Sequence, residues 1–373
     1  MQNCKFLKHG ERGIGKSMTL VATDIQDAAP PVVVRLADTP VGWDEYLRPH
    51  GYAGFALRPE WLRIFARAFG HRPCFLEARR GGRLAGVLPV AFVRSLLFGS
   101  RLASLPYLNS GGLLADDEGT ARLLVDQAVA LADRWRVRNL ELRHEKAVEH
   151  PALGSTLTSK VHLRLPLPAS ADLLWSGFKA KLRSQIKKPL ANPALTFHTG
   201  REELLPDFYR VFCANMRDLG TPPYSMRLFH EILVHFPQEA ELCVLRHEGA
   251  AVSAALLVHG PGVTQVPSAS TLRSANRLSA NMLLYWRLLE RTIERGQSCF
   301  DFGRSTVGAG TYDFKKQWGA VDHPAVWQYY VREGTVSDLR PDGGKYDRFI
   351  QLWKRLPVAV TRWIGPSIVK GIP

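Results

Sequence analysis

Apolar and polar positions along the chain fall into two rounds of one pattern. Residues 74–90, from Cys74-Phe-Leu-Glu-Ala to Val-Leu-Pro-Val90, read as two largely apolar strands joined at Gly81-Gly82, and residues 241–258 repeat that plan around Gly249. A helix with one apolar face precedes each hairpin. In the first round it covers residues 59–69, with Trp61, Leu62, Phe65 and Phe69 recurring at helical spacing; in the second it covers 225–236, with Leu228, Phe229, Ile232, Leu233 and Phe236. After each hairpin come another strand, a longer helix (118–135, then 279–295) and a short apolar strand (139–143, then 299–302).

Two rounds of helix, antiparallel hairpin, strand, helix and strand predict a duplicated α/β (α+β) architecture. The order resembles that of the N-acetyltransferase-type fold, in which two central strands part and the acyl donor sits in the opening. The expected fold class is therefore two tandem acetyltransferase-like (GNAT-type) domains, with mixed, mostly antiparallel sheets flanked by helices. His150-Pro151 and Pro166-Leu-Pro168 interrupt the pattern. The division that follows is a flexible tail over 1–31, domains over 32–165 and 166–335, and a C-terminal tail over 336–373.

Length and composition agree with two folded domains: 373 residues, 46% hydrophobic and 22% charged. The net charge of +15 sets up a positive field that attracts anions such as tRNA, coenzyme A phosphates, nucleotide-linked precursors or anionic lipid headgroups. It equally serves solubility, since no run of five or six Lys/Arg forms a nucleic-acid arm, and no DNA partner is expected. The five cysteines (Cys4, Cys74, Cys213, Cys243, Cys299) are scattered and the twelve histidines form no HxxxH set, so reduced thiols, no metal and a cytoplasmic location are expected. No apolar run reaches the roughly 18 residues that a spanning helix needs.

Three segments invite functional readings that compete with plainer ones. Gly10 to Ser17 matches the P-loop pattern, yet no buried strand precedes it and the stretch 22–31 after it is small, polar and ends in proline, so a tail is expected, with Met18 as an alternative start. Residues 172–188 predict one basic amphipathic helix, carrying Lys179, Lys181, Arg183, Lys187 and Lys188 and ended by Pro189; it is read as a solvated face, with a tRNA or phosphate contact as the alternative. The C-terminal apolar residues Phe349, Ile350, Leu352, Trp353, Leu356, Val358, Trp363 and Ile364, interleaved with Lys354, Arg355 and Arg362, are expected to pack on the body, with peripheral contact with an anionic inner membrane surface as the alternative.

The densest chemistry lies between Phe300 and Gly319. A short buried strand presents Asp301, Gly303, Arg304 and Ser305, a glycine-rich link follows, and Tyr312, Phe314, Lys315 and Trp318 then alternate aromatic with cationic groups. Acyl transfer builds negative charge on a carbonyl oxygen, so a desolvated cation beside that carbonyl lowers the barrier, and Lys315 is the first candidate. Asp301 is a local candidate for a base, with a structural ion pair to Arg304 as the more ordinary role. Arg217, Tyr224 and Ser270 are placed at the border of the cleft, and Asn281 and Tyr285 on the helix behind it; the 105–112 segment is read as acceptor groove or simple turn.

Over residues 32–331, and most specifically in Arg217 to Tyr224, Ser279 to Glu290 and Phe300 to Gly319, the chain resembles the FemAB family of aminoacyl-tRNA-dependent transferases, in particular the FemAB-related proteins associated with exosortase (PEP-CTERM) and exopolysaccharide systems. The resemblance implies that Phe314-Lys315 is the family's Phe-Lys pair, whose lysine stabilises transition-state charge without an obvious side-chain base. It implies no tightly bound cofactor, an anionic acyl donor (charged tRNA or acyl-CoA), and a cell-envelope or polysaccharide precursor as acceptor. Coenzyme A-dependent relatives hold the pyrophosphate on a glycine-rich loop at a helix start. At the matching place, Arg277 to Met282, this chain has Ala280 and Met282, which weakens the coenzyme A alternative. A small-molecule N-acyltransferase and a non-catalytic glycan- or protein-binding module remain as competing readings.

Overall fold

The computed structural model describes residues 30–95, 99–335 and 347–372. The P-loop match at 10–17, Met18 and Cys4 lie outside the described residues, as does nearly all of the 1–31 tail.

The first round begins with strand β1 (Val32–Ala37), the short helices α1 (Trp43–Leu47) and α2 (Gly51–Ala56), and α3 (Glu60–Phe69). The hairpin β2 (Arg72–Arg80) and β3 (Arg83–Ser95), then β4 (Gly99–Ser104), β5 (Leu114–Ala115), α4 (Glu118–Arg134), β6 (Asn139–His144) and β7 (Ser155–Leu157) complete it. Strand β8 (Lys160–Pro166) leads to α5 (Ala171–Gly177), α6 (Ala180–Leu190), β9 (Leu195–Gly200), α7 (Leu205–Leu219) and α8 (Met226–His235). The second hairpin is β10 (Ala240–His247) and β11 (Ala250–Gly260), followed by β12 (Val263–Thr271), α9 (Ala280–Glu294), β13 (Cys299–Thr306), α10 (Gly310–Lys316), β14 (Val321–Pro324) and β15 (Val326–Val331). Two helices close the described chain, α11 (Asp347–Arg355) and α12 (Val358–Val369).

Two mixed sheets form among the described residues. The first has the order β1-β2-β3-β4-β6-β15-β7, with β5 beside β3; the second has the order β14-β8-β13-β12-β11-β10-β9. The expected linear division near residue 165 meets an exchange of strands. β8, which follows the first round, pairs with β13 in the second sheet, and β15, which follows the second round, pairs with β6 in the first. Each sheet's inner strand is thus flanked by a parallel partner of its own round and an antiparallel partner delivered by the other crossing.

Alternation along the hairpins accounts for the layers. On β10, Leu242 and Val244 face a core that also holds Phe75 and Val87 of the first hairpin with α3, α7 and α8, while Cys243 and Leu245 face a second core under α9. On β2, Cys74, Leu76 and Ala78 face a third core under α4. Strands covered on both faces read as near-continuous apolar runs rather than alternating ones, as these do. Cys74, Cys213 and Cys243 are buried free thiols, and Cys299 is half-buried.

One expected element differs. The single basic helix over 172–188 is broken in two, because Phe178 leaves helical geometry (φ −73, ψ 144) and buries its ring edge-on to Trp286 and Trp318, 5.9 and 5.7 Å between centroids. Burying a phenyl ring is worth roughly 2 kcal/mol, enough to offset the lost helical turn. Pro189 lies inside α6, one residue before its end, rather than stopping it.

Candidate active site

β12 and β13 run parallel only between Val263–Gln265 and Cys299–Asp301. Beyond that point β12 follows β11 to Thr271 while β13 follows β8 to Thr306, so the second sheet opens. A bulge in β13 shapes the opening: Phe302 and Gly303 together oppose the single residue Leu163, between the Asp301–Arg164 and Arg304–His162 pairs. Gly303 sits at φ +75, and a Cβ there would come within 2.9 Å of the Asn109 side-chain nitrogen, so only glycine fits this approach of the two rounds. The Asp301 carboxylate accepts the Gly303 N–H at 2.7 Å and holds the bulge.

Lys315, on the last turn of α10, points into that bulge. Its ammonium donates to the carbonyls of Gly303 (3.1 Å) and Arg304 (3.2 Å), and the residue is 9% exposed. Burial pushes its pKa down to about 8, against the opposing pull of Asp301. The ordinary alternative for Asp301, an ion pair with Arg304, gives way to a pair with Arg164 at 3.1 Å; Arg164 also holds Glu145 at 2.9 Å. The Arg304 guanidinium instead lies 3.4 Å from the ring centroid of Trp327, over which Arg143 also lies at 4.0 Å. One indole on β15 therefore joins cations from both inner strands.

Two cavities flank this junction. The first, about 360 Å³, is lined by Arg101, Glu141, Arg143, Arg304, Tyr224 and Trp327 among others; the second, about 970 Å³, by Gly111, Gly112, His144, Glu145 and Arg164 among others. Segment 105–112 divides them, with Pro106–Asn109 on the first and Ser110–Gly112 on the second. Lys160, His162 and Arg164 share one face of β8, so His162 sits between a residue of the first cavity and one of the second. His162 is fully buried, and both ring nitrogens lack a partner among the described residues. Burial lowers its pKa, with Asp301 and Glu145 opposing. The carboxyl of Glu145, which burial would push up, is held below its usual range by Arg164.

The other candidates scatter. Tyr224 lines the first cavity. Ser305 is buried beside the bulge, with its hydroxyl unpartnered among the described residues. Phe314 and Tyr285 pack edge-on at 4.9 Å behind Lys315, and Tyr285 stacks on Phe302 at 5.6 Å. Trp318 is 1% exposed and belongs to the core against Phe178, while the Tyr312 hydroxyl donates to Asp322 on the surface. Ser270 receives a hydrogen bond from Asn215 and Asn281 one from Thr271, both 3.3 Å. Arg217 lines neither large cavity; it pairs with Asp218 at 2.7 Å and donates to the Leu356 carbonyl, tying α7 to the C-terminal helices. Arg143, Glu145, Arg164 and Trp327 escaped sequence reasoning, although the polar alternation Lys160, His162, Arg164 on a strand was a usable signal. Among the described residues no group of three or more His, Cys, Asp or Glu is placed to hold a metal ion, and no helix is long and apolar enough to cross a membrane.

Residues 176–316 match the acetyltransferase (GNAT) domain family model. The matched span ends one residue after Lys315 and contains the splayed strands and the bulge. Solved structures resemble about four-fifths of the chain, across both rounds. FemX aligns with TM-score 0.63 at 14% identity, over 80% of this chain and 97% of that one. A tandem GNAT protein from the clavulanic acid biosynthesis pathway aligns with TM-score 0.53 at 12% identity, over 82% and 100%. L-PGS from Bacillus licheniformis aligns with TM-score 0.51 at 16% identity, over 83% and 98%. No curated protein matches in sequence. At these identities the likeness is one of fold: the chain has a tandem GNAT-type fold with two mixed sheets flanked by helices.

Proposed function

We propose that this chain is an acyl- or aminoacyl-transferase whose reaction centre is the bulge of β13, with Lys315 as the electrostatic catalyst. An acceptor amine attacks the donor carbonyl carbon, a C–N bond forms, and the donor's ester or thioester bond breaks as the amine's proton passes to the departing oxygen or sulfur, while the ammonium stabilises the oxyanion between those steps. The observation that carries the reading is the Lys315 ammonium, desolvated and aimed at two carbonyls where the GNAT-type sheet opens. Desolvation strengthens a charge's effect on a reacting group, and fixed partners remove the cost of reorganising it during reaction.

The donor is charged tRNA in this reading, and the acceptor an amine of a cell-envelope or exopolysaccharide precursor that approaches the bulge from the first cavity, which Arg304 lines and Lys315 does not. The resemblance of Phe314-Lys315 to the FemAB Phe-Lys pair and the basic character of the chain support the donor assignment. The second reading, an acyl-CoA donor, draws on the start of α9, which has no side-chain cap and leaves backbone N–H groups available to a pyrophosphate. Thermal-shift titration with acetyl-CoA, longer acyl-CoAs and charged tRNA separates the two, since a ligand bound only by the native state raises the melting temperature. Mass spectrometry of envelope precursors and surface polysaccharide from cells with and without the gene names the transferred group. A Lys315→Ala chain that transfers as fast as wild type eliminates Lys315 as the catalyst, whereas a wild-type chain that binds donor or acceptor without any transfer leaves the binding-module reading.

A further inference from the structure

Helices α11 and α12 both pack on α7, and their inward residues are secured: Trp353 is 1% exposed, Thr361 is fully buried, and Gly365 sits so close to Pro223 that a Cβ would approach its ring at 2.4 Å. Their outward residues are the opposite of a solvated helix face. Phe349 is 42% exposed, Leu352 60%, Val360 39% and Trp363 82%, the last being the most exposed large apolar side chain among the described residues. Four of the fifteen exposed large apolar side chains thus fall between Phe349 and Trp363, which is clustering rather than scatter. The same stretch carries Arg348, Arg355, Arg362 and Lys370, all exposed, and Lys354, half-buried, with Asp347 the single acid from 347 to 370.

We infer that the outer face of α11 and α12 is a peripheral docking surface for an anionic lipid bilayer. Exposed aromatic and aliphatic groups ringed by cations, with the helices lying flat on a rigid body, are what an interfacial helix presents to headgroups and the upper acyl region. An indole favours that depth because its ring is apolar and its N–H polar. Charges of one sign, with Asp347 the single acid from 347 to 370, complement anionic headgroups rather than a rim of mixed charge. The segment that carries this face also closes the smaller cavity from inside: Arg101 donates to the carbonyls of Gly371 (3.0 Å) and Ile372 (2.6 Å), and Tyr107 to that of Lys370 (2.8 Å). Docking accordingly seats that cavity beside the bilayer. The inference does not depend on the transferase reading, because its readout is lipid binding.

The test is co-sedimentation of the full chain with vesicles of phosphatidylcholine alone and with phosphatidylglycerol added, at low and high salt. Binding is expected only with the anionic lipid and weakens as salt rises. Each surface cation contributes about fivefold in affinity, so Arg355→Glu with Arg362→Glu lowers binding at least tenfold. Trp363→Ala with Leu352→Ala lowers it comparably at unchanged melting temperature, and quenching of tryptophan fluorescence by brominated lipid falls in Trp363→Phe. No binding to anionic vesicles at low salt overturns the inference, as does binding indifferent to both double variants. A Trp363-dependent dimer in solution without vesicle binding overturns it in favour of a second copy on this face.

Discussion

The inner strands of the two sheets begin alike and diverge at their fifth residue. Glu141 on β6 and Asp301 on β13 occupy matching places beside their parallel partners, Ala103 and Gln265, and both carboxylates are buried. Two residues later the first strand has Arg143, whose guanidinium holds Glu141 at 2.6 Å, and the second has Gly303. The arginine closes its strand with an internal ion pair; the glycine lets its strand bulge and leaves the carbonyls of Gly303 and Arg304 to accept from an ammonium on α10. One duplicated framework therefore yields a stapled copy and an open copy. The difference rests on whether the charge opposite the buried acid comes from the same strand or from elsewhere.

The sharpest way to break this comparison is Lys315→Ala, which should lower turnover roughly hundredfold to thousandfold if the ammonium meets the developing charge. Its melting temperature should hold or rise, because a cation desolvated without a full counter-ion is removed. A variant that loses stability and keeps its rate would make Lys315 a structural strut. Next in size is Gly303→Ala. Positive φ costs a residue with a Cβ about 1–2 kcal/mol, and the clash with Asn109 adds to it, so both melting temperature and transfer should drop, transfer by about tenfold. Adding Asn109→Ala should recover part of the stability, since the backbone strain remains and only the contact is relieved.

The pH dependence is a finer probe. With a pKa of about 8 the ammonium is present below that pH and lost above it, so transfer should fall along a limb centred near pH 8. Lys315→Arg should abolish the limb, and Asp301→Asn should move it to lower pH, because Asp301 is the group that raises the lysine's pKa. The stability sign is opposite to that of an ordinary lysine pair. The folded pKa lies below the unfolded one, so the cost of burying the charge is present below about pH 8 and is relieved as pH rises toward the unfolded value. Wild type should therefore gain on Lys315→Met over that window in paired denaturation curves. The smallest effect on chemistry should come from the stapled copy: Arg143→Ala leaves a buried carboxylate short of its partner, costing about 3 kcal/mol and several degrees of melting temperature, with the pH limb unmoved.

Much of the architecture was legible because its causes are local. Apolar periodicity, a turn glycine in each hairpin and a buried aromatic face on each helix state themselves over a dozen residues, and β2–β3 and β10–β11 lie where the pattern put them. The closeness of Lys315 to Gly303 and Arg304 was legible for a similar reason, since a glycine-rich link of a few residues separates them in sequence. The partners were not. Arg164 reaches Asp301 from 137 positions away, and Trp327 meets cations from β6 and β13, contacts to which no spacing rule points. The break before Phe178 had a local signal in Gly177, a poor helix former, but the packing of the Phe178 ring against Trp286 and Trp318 did not.

By itself, then, the amino-acid order determined that two similar α/β units would form, where their hairpins and long helices would run, and which stretch would carry a glycine, a lysine and an acid close together. Tertiary structure decided which strand would lie beside which. β8 and β15 cross between sheets because an inner strand with one parallel neighbour has an unpaired edge, and any strand of suitable length and burial can fill it. That choice, made by long-range pairing rather than local preference, put Arg164 opposite Asp301 and Trp327 beneath Arg304.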